Sequence, residues 1–246
     1  YWNFNEETTT ADLSKNYYDI DILATPDRIY FNSPAQDAED LIEMGVFPYY
    51  ADEAKTQLVE APAIMVTYAD GTVEYFDDMR AAVPHSTNVP KLEGATITLL
   101  QDMSGLGMRL MENGMVFDLN GHTYTLTGGT GSKGTETSGF QIRPEVTETA
   151  TIKNGTIKIA EGVQIIWMFN NYATNFVVED VTVDCANMAY SYGESCYVYV
   201  SRADDNAQFI GTTNIINFNA AVAGNAINVA DTMTIGENVV PGGSIE

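Results

Sequence analysis

The chain has 246 residues, of which 45% are apolar and 11% aromatic, enough to fill a core, and 34 acidic against 11 basic side chains give it a formal charge of −23. A polyanion would be repelled by that field, no basic patch offsets it, and after Lys158 the only basic residue is Arg202, so nucleic-acid binding is excluded. No apolar run reaches the roughly 18 residues of a membrane span. Acid-rich, lysine-poor chains are common outside cells and on their surfaces, which sets the expected location, although salt-adapted cytosolic proteins share the trait. A first residue of Tyr rather than Met is expected of a processed or trimmed product.

Taken in chain order, residues 1–62 show no clean period and are left without an assigned fold. Within them Ser33-Pro34-Ala35-Gln36 has the form of a helix start, with Ser33 as N-cap, Pro34 at the first helical position and Gln36 completing a capping box. That helix would carry Asp37 to Met44 and stop at Gly45. Residues 63–94 read as a hairpin and a capping helix. AIMVTYADGTVEYF places two β-rich runs on either side of Asp70-Gly71, and FDDMRAAV predicts a helix from Phe76 to Val83 with acids in its first turn.

From residue 95 to 246 short β-type runs recur between Asn, Gly, Asp and Thr corners. VFDLNGHTYTL, ATIKNGTIKI, FVVEDVTVDC, QFIGTTNII and MTIGENVV align on Leu119, Ile152, Val178, Ile210 and Ile235, at spacings of 33, 26, 32 and 25. Between them lies a second set, GFQI near Ile142, VQIIWMF near Ile165, SCYVYV near Val198 and NAINV near Ile227. Two or more strands per repeat, at a period of about thirty, is the pattern of a β-solenoid, in which each coil buries its inward residues against its neighbours. The expected inward columns are Leu119/Ile152/Val178/Ile210 and Leu126/Ile159/Cys185. Thr123/Thr156/Thr182 forms an outward ladder, and Asn120-Gly121 and Asn154-Gly155 supply left-handed corners. An antiparallel β-sandwich is the competing architecture.

The succession of hairpin and helix, TITLLQD, FDLNGHTYTL and TIKNGTIKI resembles the right-handed parallel β-helix of the pectin-lyase-like superfamily. The resemblance is to the form found in bacterial surface and secreted proteins, in which a leading helix caps the first coil. It spans residues 63–246 and implies an all-β fold, a parallel β-helix (β-solenoid) of about five coils behind a small α+β N-terminal region. It also implies an outer groove where enzymes of the superfamily cleave polysaccharides, the lyases with a basic residue beside calcium-holding carboxylates and the glycosidases with grouped aspartates. Calcium is therefore the one cofactor to consider. Of the hydrolase set NxD, DD, GHG and RxK, the chain offers Asp204-Asp205, while Gly121-His122 is followed by Thr123 and the other two are absent.

Each candidate residue has a plainer reading beside its chemical one. His122, a general-base candidate, is a lone histidine next to a turn. Asp180 and Asp184 flank VTV as a candidate catalytic pair, yet the alignment puts Asp184 beside Lys158 as a cross-strand ion pair. Asp204 and Asp205 offer oxygen ligands to calcium but follow no EF-hand pattern. Tyr190, Tyr192, Tyr197 and Tyr199 could stack on sugar rings as a glycan platform, although alternation in SCYVYV also suits a core, and Trp167 reads as core. Cys185 and Cys196 suit either a loop-closing disulfide or two buried thiols. Asn154-Gly155-Thr156 is a formal glycosylation acceptor that a corner turn explains as well.

The sequence thus favours a non-catalytic extracellular or cell-surface module, structural or adhesive. Its open C-terminal end, GENVVPGGSIE, has no amphipathic helix to cover it and would pair with a partner or with another copy in a filament or surface layer. An extracellular glycan is the other expected partner. A polysaccharide lyase or glycoside hydrolase working on a coil face is the alternative.

Overall fold

The computed structural model describes residues 62–85, 89–131, 136–143, 146–173, 175–189 and 206–217, together with the backbone of short strands elsewhere. The chain divides into two compact units, Tyr1–Ala61 and Pro62–Glu246. In the first, β1 (Phe4–Asn5) and β2 (Thr10–Ala11) pair antiparallel. A four-stranded sheet runs β3 (Asp19–Asp21), β4 (Tyr30–Asn32), β5 (Tyr49–Tyr50), β6 (Leu58–Val59). The helix expected at Asp37 to Met44 lies outside the described residues.

The second unit begins with the expected hairpin. β7 (Ile64–Thr67) and β8 (Val73–Phe76) pair antiparallel, Ile64 opposite Phe76 and Thr67 opposite Val73. Gly71 takes φ +86°, and Asp70 Oδ1 accepts from the amide and hydroxyl of Thr72 at 2.9 and 2.7 Å. The following helix is shorter than expected. Phe76 is held by the hairpin ladder, so α1 covers only Met79–Ala82. Asp78 stands ahead of the first turn as N-cap, its carboxylate accepting from the amides of Arg80 and Ala81 at 2.8 and 3.0 Å. A cap of this kind contributes about 1 kcal/mol.

The chain then passes repeatedly through two curled, mostly parallel sheets. The first pass gives β9 (Thr96–Leu99), β10 (Met103–Leu106) and β11 (Met108–Leu110); the second gives β12 (Val116–Asp118), β13 (Thr123–Gly128) and β14 (Ser138–Ile142). Next come β15 (Ala150–Ile159) and β16 (Trp167–Asn171), then β17 (Asn175–Asp184) and β18 (Cys196–Val200). Last are β19 (Asn206–Ile210), β20 (Asn214–Ile216), β21 (Ile227–Val229) and β22 (Thr232–Ile235). Strands β11, β14, β16, β18 and β21 form one sheet; the rest join the hairpin in the other. Only the two pairings made by β7 are antiparallel among those described in this unit, so the antiparallel sandwich is not what forms.

Register corrects the expected columns. In the smaller sheet Phe140, Phe169, Val198 and Ile227 stand opposite one another at a constant step of 29 residues. Ile165 is buried but lies ahead of β16, and Phe169 takes its expected place. In the larger sheet the column is Phe117/Ile152/Val178/Phe209/Ile235, so Phe117 and Phe209 replace Leu119 and Ile210. The cause is a corner of unequal length: β12 and β13 both pair with β15, Asp118 facing Lys153 and Thr123 facing Thr156, so residues 119–122 are matched by only 154 and 155. Beyond the corner the expected pairs hold, with Thr123/Thr156/Thr182 in one ladder and Leu126 opposite Ile159.

In the larger sheet burial follows strand alternation, β15 and β17 presenting Ile152, Ile157, Val178 and Val183 inward, all fully buried, whereas β14 is buried along its whole length. Aromatic rings fill the middle of this core. Phe117 meets Tyr124 edge-on at 5.6 Å, Phe140 lies 5.7 Å from Phe169, and Phe169 lies 5.4 Å from Phe176. Each such pair contributes about 0.5–1.5 kcal/mol beyond the area it buries.

Candidate functional site

The corners of the larger sheet gather the polar residues singled out in the sequence. Asn120, Asn154 and Asp180 adopt φ of +50°, +60° and +54°, a left-handed conformation that Asn and Asp tolerate best among side-chain-bearing residues. Gly121 turns with φ +82°. Gly155 is required for a different reason: a Cβ there would lie 2.5 Å from Leu119 Cβ and 2.6 Å from the His122 carbonyl oxygen. Asn120-Gly121 thus lies at the turn between β12 and β13, whereas Asn154-Gly155 lies inside the continuous strand β15, with Asn154 alone of the two left-handed.

Side chains at these corners reach across to the next pass. Asp102 Oδ1 accepts from the Thr123 amide at 2.8 Å, and Asp118 Oδ1 from Asn154 Nδ2 at 3.1 Å. Asp180 Oδ1 accepts from the Thr212 amide at 2.6 Å, and Asp184 Oδ1 from Asn217 Nδ2 at 2.8 Å. A carboxylate oxygen used in this way satisfies a backbone or amide donor that the corner would otherwise leave unpaired. Asp102 was not among the sequence candidates. Its signal was an acid directly after the β run TITLLQ, the position from which a side chain reaches the next corner.

Two of the expected sites change character. Lys158 does stand opposite Asp184, but the two are not within ion-pairing distance. Asp184 instead accepts from the Ala186 amide at 3.0 Å as well as from Asn217. The ion pair forms one corner away, where Lys153 Nζ lies 3.4 Å from Asp118 Oδ2, and Lys153 sits in register between Asp118 and Glu179. Asp180 and Asp184 are engaged by different partners. They do not share a hydrogen-bond network.

His122 lies at the rim of the same face, Nδ1 3.4 Å from Asp102 Oδ1, with a third of its side chain exposed. Beside it an open recess of about 460 Å³ is lined by Asp102, Met103, Ser104, Thr123, Thr125 and Lys158. Three hydroxyls, an ammonium and a carboxylate can hydrogen-bond a polyol, and no aromatic ring lines the recess to stack on a sugar face. No group of three or more His, Cys, Asp or Glu side chains suited to a metal occurs among the described residues.

Cys185 is buried and its thiol is free; burial first, and then the charge of Asp184, pushes its ionisation up to about 12. Trp167 is half-buried rather than core. Tyr190, Tyr192, Asp204 and Asp205 lie outside the described residues, as do the side chains of Cys196, Tyr197 and Tyr199; the backbone of Tyr199 stands in register with Asn170. No helix among the described residues is long and apolar enough to cross a membrane. Comparison with protein families, curated proteins and solved structures finds no match to this chain.

Proposed function

We propose that residues 63–246 are a right-handed parallel β-solenoid of the pectin-lyase-like kind, acting as a non-catalytic structural or adhesive module outside the cell or on its surface. The observation that carries this reading is the use made of the acids: Asp102, Asp118, Asp180 and Asp184 each bond a donor in the next pass. Carboxylates so engaged tie the stack together and are poorly placed to exchange protons with a substrate. The parallel registers and the constant step of the smaller sheet support a rigid spacer. Its acidic character supports a site exposed to solvent, and calcium and a glycan remain the ligands to test.

The test is a screen for cleavage of acidic and neutral polysaccharides, with and without calcium, on the protein and on Asp180→Ala and Asp184→Ala. The expected result is no cleavage by any of them, with both variants less stable. Cleavage by the parent protein that disappears in a folded Asp180→Ala or Asp184→Ala variant would overturn the proposal.

A second reading, a polysaccharide lyase or glycoside hydrolase on a coil face, draws on one feature, the recess in which Lys158 faces hydroxyls and Asp102. Cleavage abolished by Lys158→Ala and unaffected by Asp180→Ala would favour it.

A further inference from the structure

Strand β8 ends the larger sheet, paired with β7 on one side and with no strand on the other among the described residues. The Tyr68 amide bonds the Thr72 carbonyl at 2.9 Å across the hairpin end. Antiparallel alternation then turns the backbone groups of Glu74 and Phe76 toward β7 and leaves the N–H and C=O of Val73 and Tyr75 on the open edge. Val73 is 42% exposed, one of two large apolar side chains so exposed among the described residues.

An open edge with an exposed apolar residue is a template for another strand, and proteins restrict it with charge. Here the restriction has one sign. Asp70, Glu74, Asp77 and Asp78 border the edge and are exposed, and the neighbouring cation, Lys91, is bonded to Glu74. A second copy of this chain would bring its own charge of −23 and be repelled. A strand carrying Lys or Arg would be attracted and would neutralise the border while its backbone bonds Val73 and Tyr75.

We propose that the open edge of β8 is a strand-addition site for an extended basic segment of a partner protein. The site stands independently of whether the coil faces are adhesive or catalytic.

The probe is a short peptide of alternating lysine and valine, with a glutamate-valine peptide as control, titrated against the full chain. The expected result is saturable binding of the basic peptide only, weakened about tenfold or more between low and high salt. Val73→Pro removes an edge N–H that makes no ladder bond, and binding should fall about tenfold or more with the fold retained. Hydrogen exchange on the unaltered protein should show the Val73 and Tyr75 amides exchanging freely alone and slowed by the basic peptide. Absence of binding, equal binding by Val73→Pro, or no protection at Val73 and Tyr75 would overturn the proposal. So would a dimer of this chain that Val73→Pro dissolves, since the edge would then take a second copy.

Discussion

The carboxylate of Asp180 accepts a hydrogen bond at 2.6 Å from the amide of Thr212, a residue one pass further along the sheet. Asp180 also holds φ +54°, and a Cβ on Gly211 would meet its Oδ1 at 2.3 Å. Corner geometry, inter-pass bond and the neighbouring glycine form one arrangement. Asp180→Ala removes the bond and leaves a less suited residue in a left-handed turn, so a loss of about 1–3 kcal/mol is expected in urea unfolding. Asp180→Asn should lose less than half of that. Equal losses for the two would show that the side-chain bond contributes nothing.

Gly155→Ala is expected to be the most damaging corner substitution, because the new methyl meets the backbone oxygen of His122 and the Cβ of Leu119. Neither is the far end of a flexible side chain. A loss of about 2–4 kcal/mol, or failure to accumulate folded protein, is expected. By contrast Gly121→Ala meets no atom within 4 Å and should show only the left-handed penalty, about 1 kcal/mol. Thermal unfolding of the two variants side by side checks the order.

The ion pair of Lys153 and Asp118 is partly shielded, with 32% and 18% of the two side chains exposed. A double-mutant cycle with Lys153→Met and Asp118→Asn should return a coupling of about 0.5–1 kcal/mol that shrinks in high salt. The same cycle on Lys158 and Asp184 should return about zero within a few tenths. A coupling at Lys158–Asp184 as large as at Lys153–Asp118 would contradict the geometry.

Cys185 gives a pH dependence with a definite sign. Its thiol ionises near 9 when unfolded and at about 12 when buried. Above pH 9 the unfolded chain therefore binds fewer protons than the folded one, and stability falls as pH rises toward 12, by up to about 1.4 kcal/mol per pH unit. Below pH 9 both forms are protonated and the thiol contributes no slope. In a Cys196→Ser background, Cys185→Ala should remove this part of the alkaline loss in pH-dependent urea unfolding. Thiol reagents should modify Cys185 only on unfolding.

How much of this could be read from residues alone is clearest at the corner of FDLNGHTYTL. The alternation fixed which residues point inward on either side of it, and the ladder Thr123/Thr156/Thr182 came out at the observed register. A column through Leu119 and Ile210 requires corners of constant length; the observed column holds Phe117 and Phe209 instead. A loop that bulges between two paired strands changes neither strand's alternation, so no periodicity reveals its length. The start of the helix is hidden for a related reason: Phe76 has apolar character suited to either element, and the pairing with Ile64 decides it. The acids presented the opposite difficulty. Composition marks them as catalytic or ionic candidates, while their roles depend on donors 21 to 36 residues away, which only the stacking brings near.

The two sheets also divide the labour of length. The smaller one keeps a step of 29 residues across its last three pairings, whereas Asp118 to Lys153 spans 35 residues and Thr123 to Thr156 spans 33 across one corner. The extra residues sit at the corner 119–122, where Leu119 and Gly121 still donate to the carbonyls of Lys153 and Asn154 at 2.8 and 2.6 Å. A peptide epitope or tag spliced between Asn120 and Gly121 would thus lengthen the corner while the facing rows of β12, β13 and β15 stay in step. The corner works as an expansion joint.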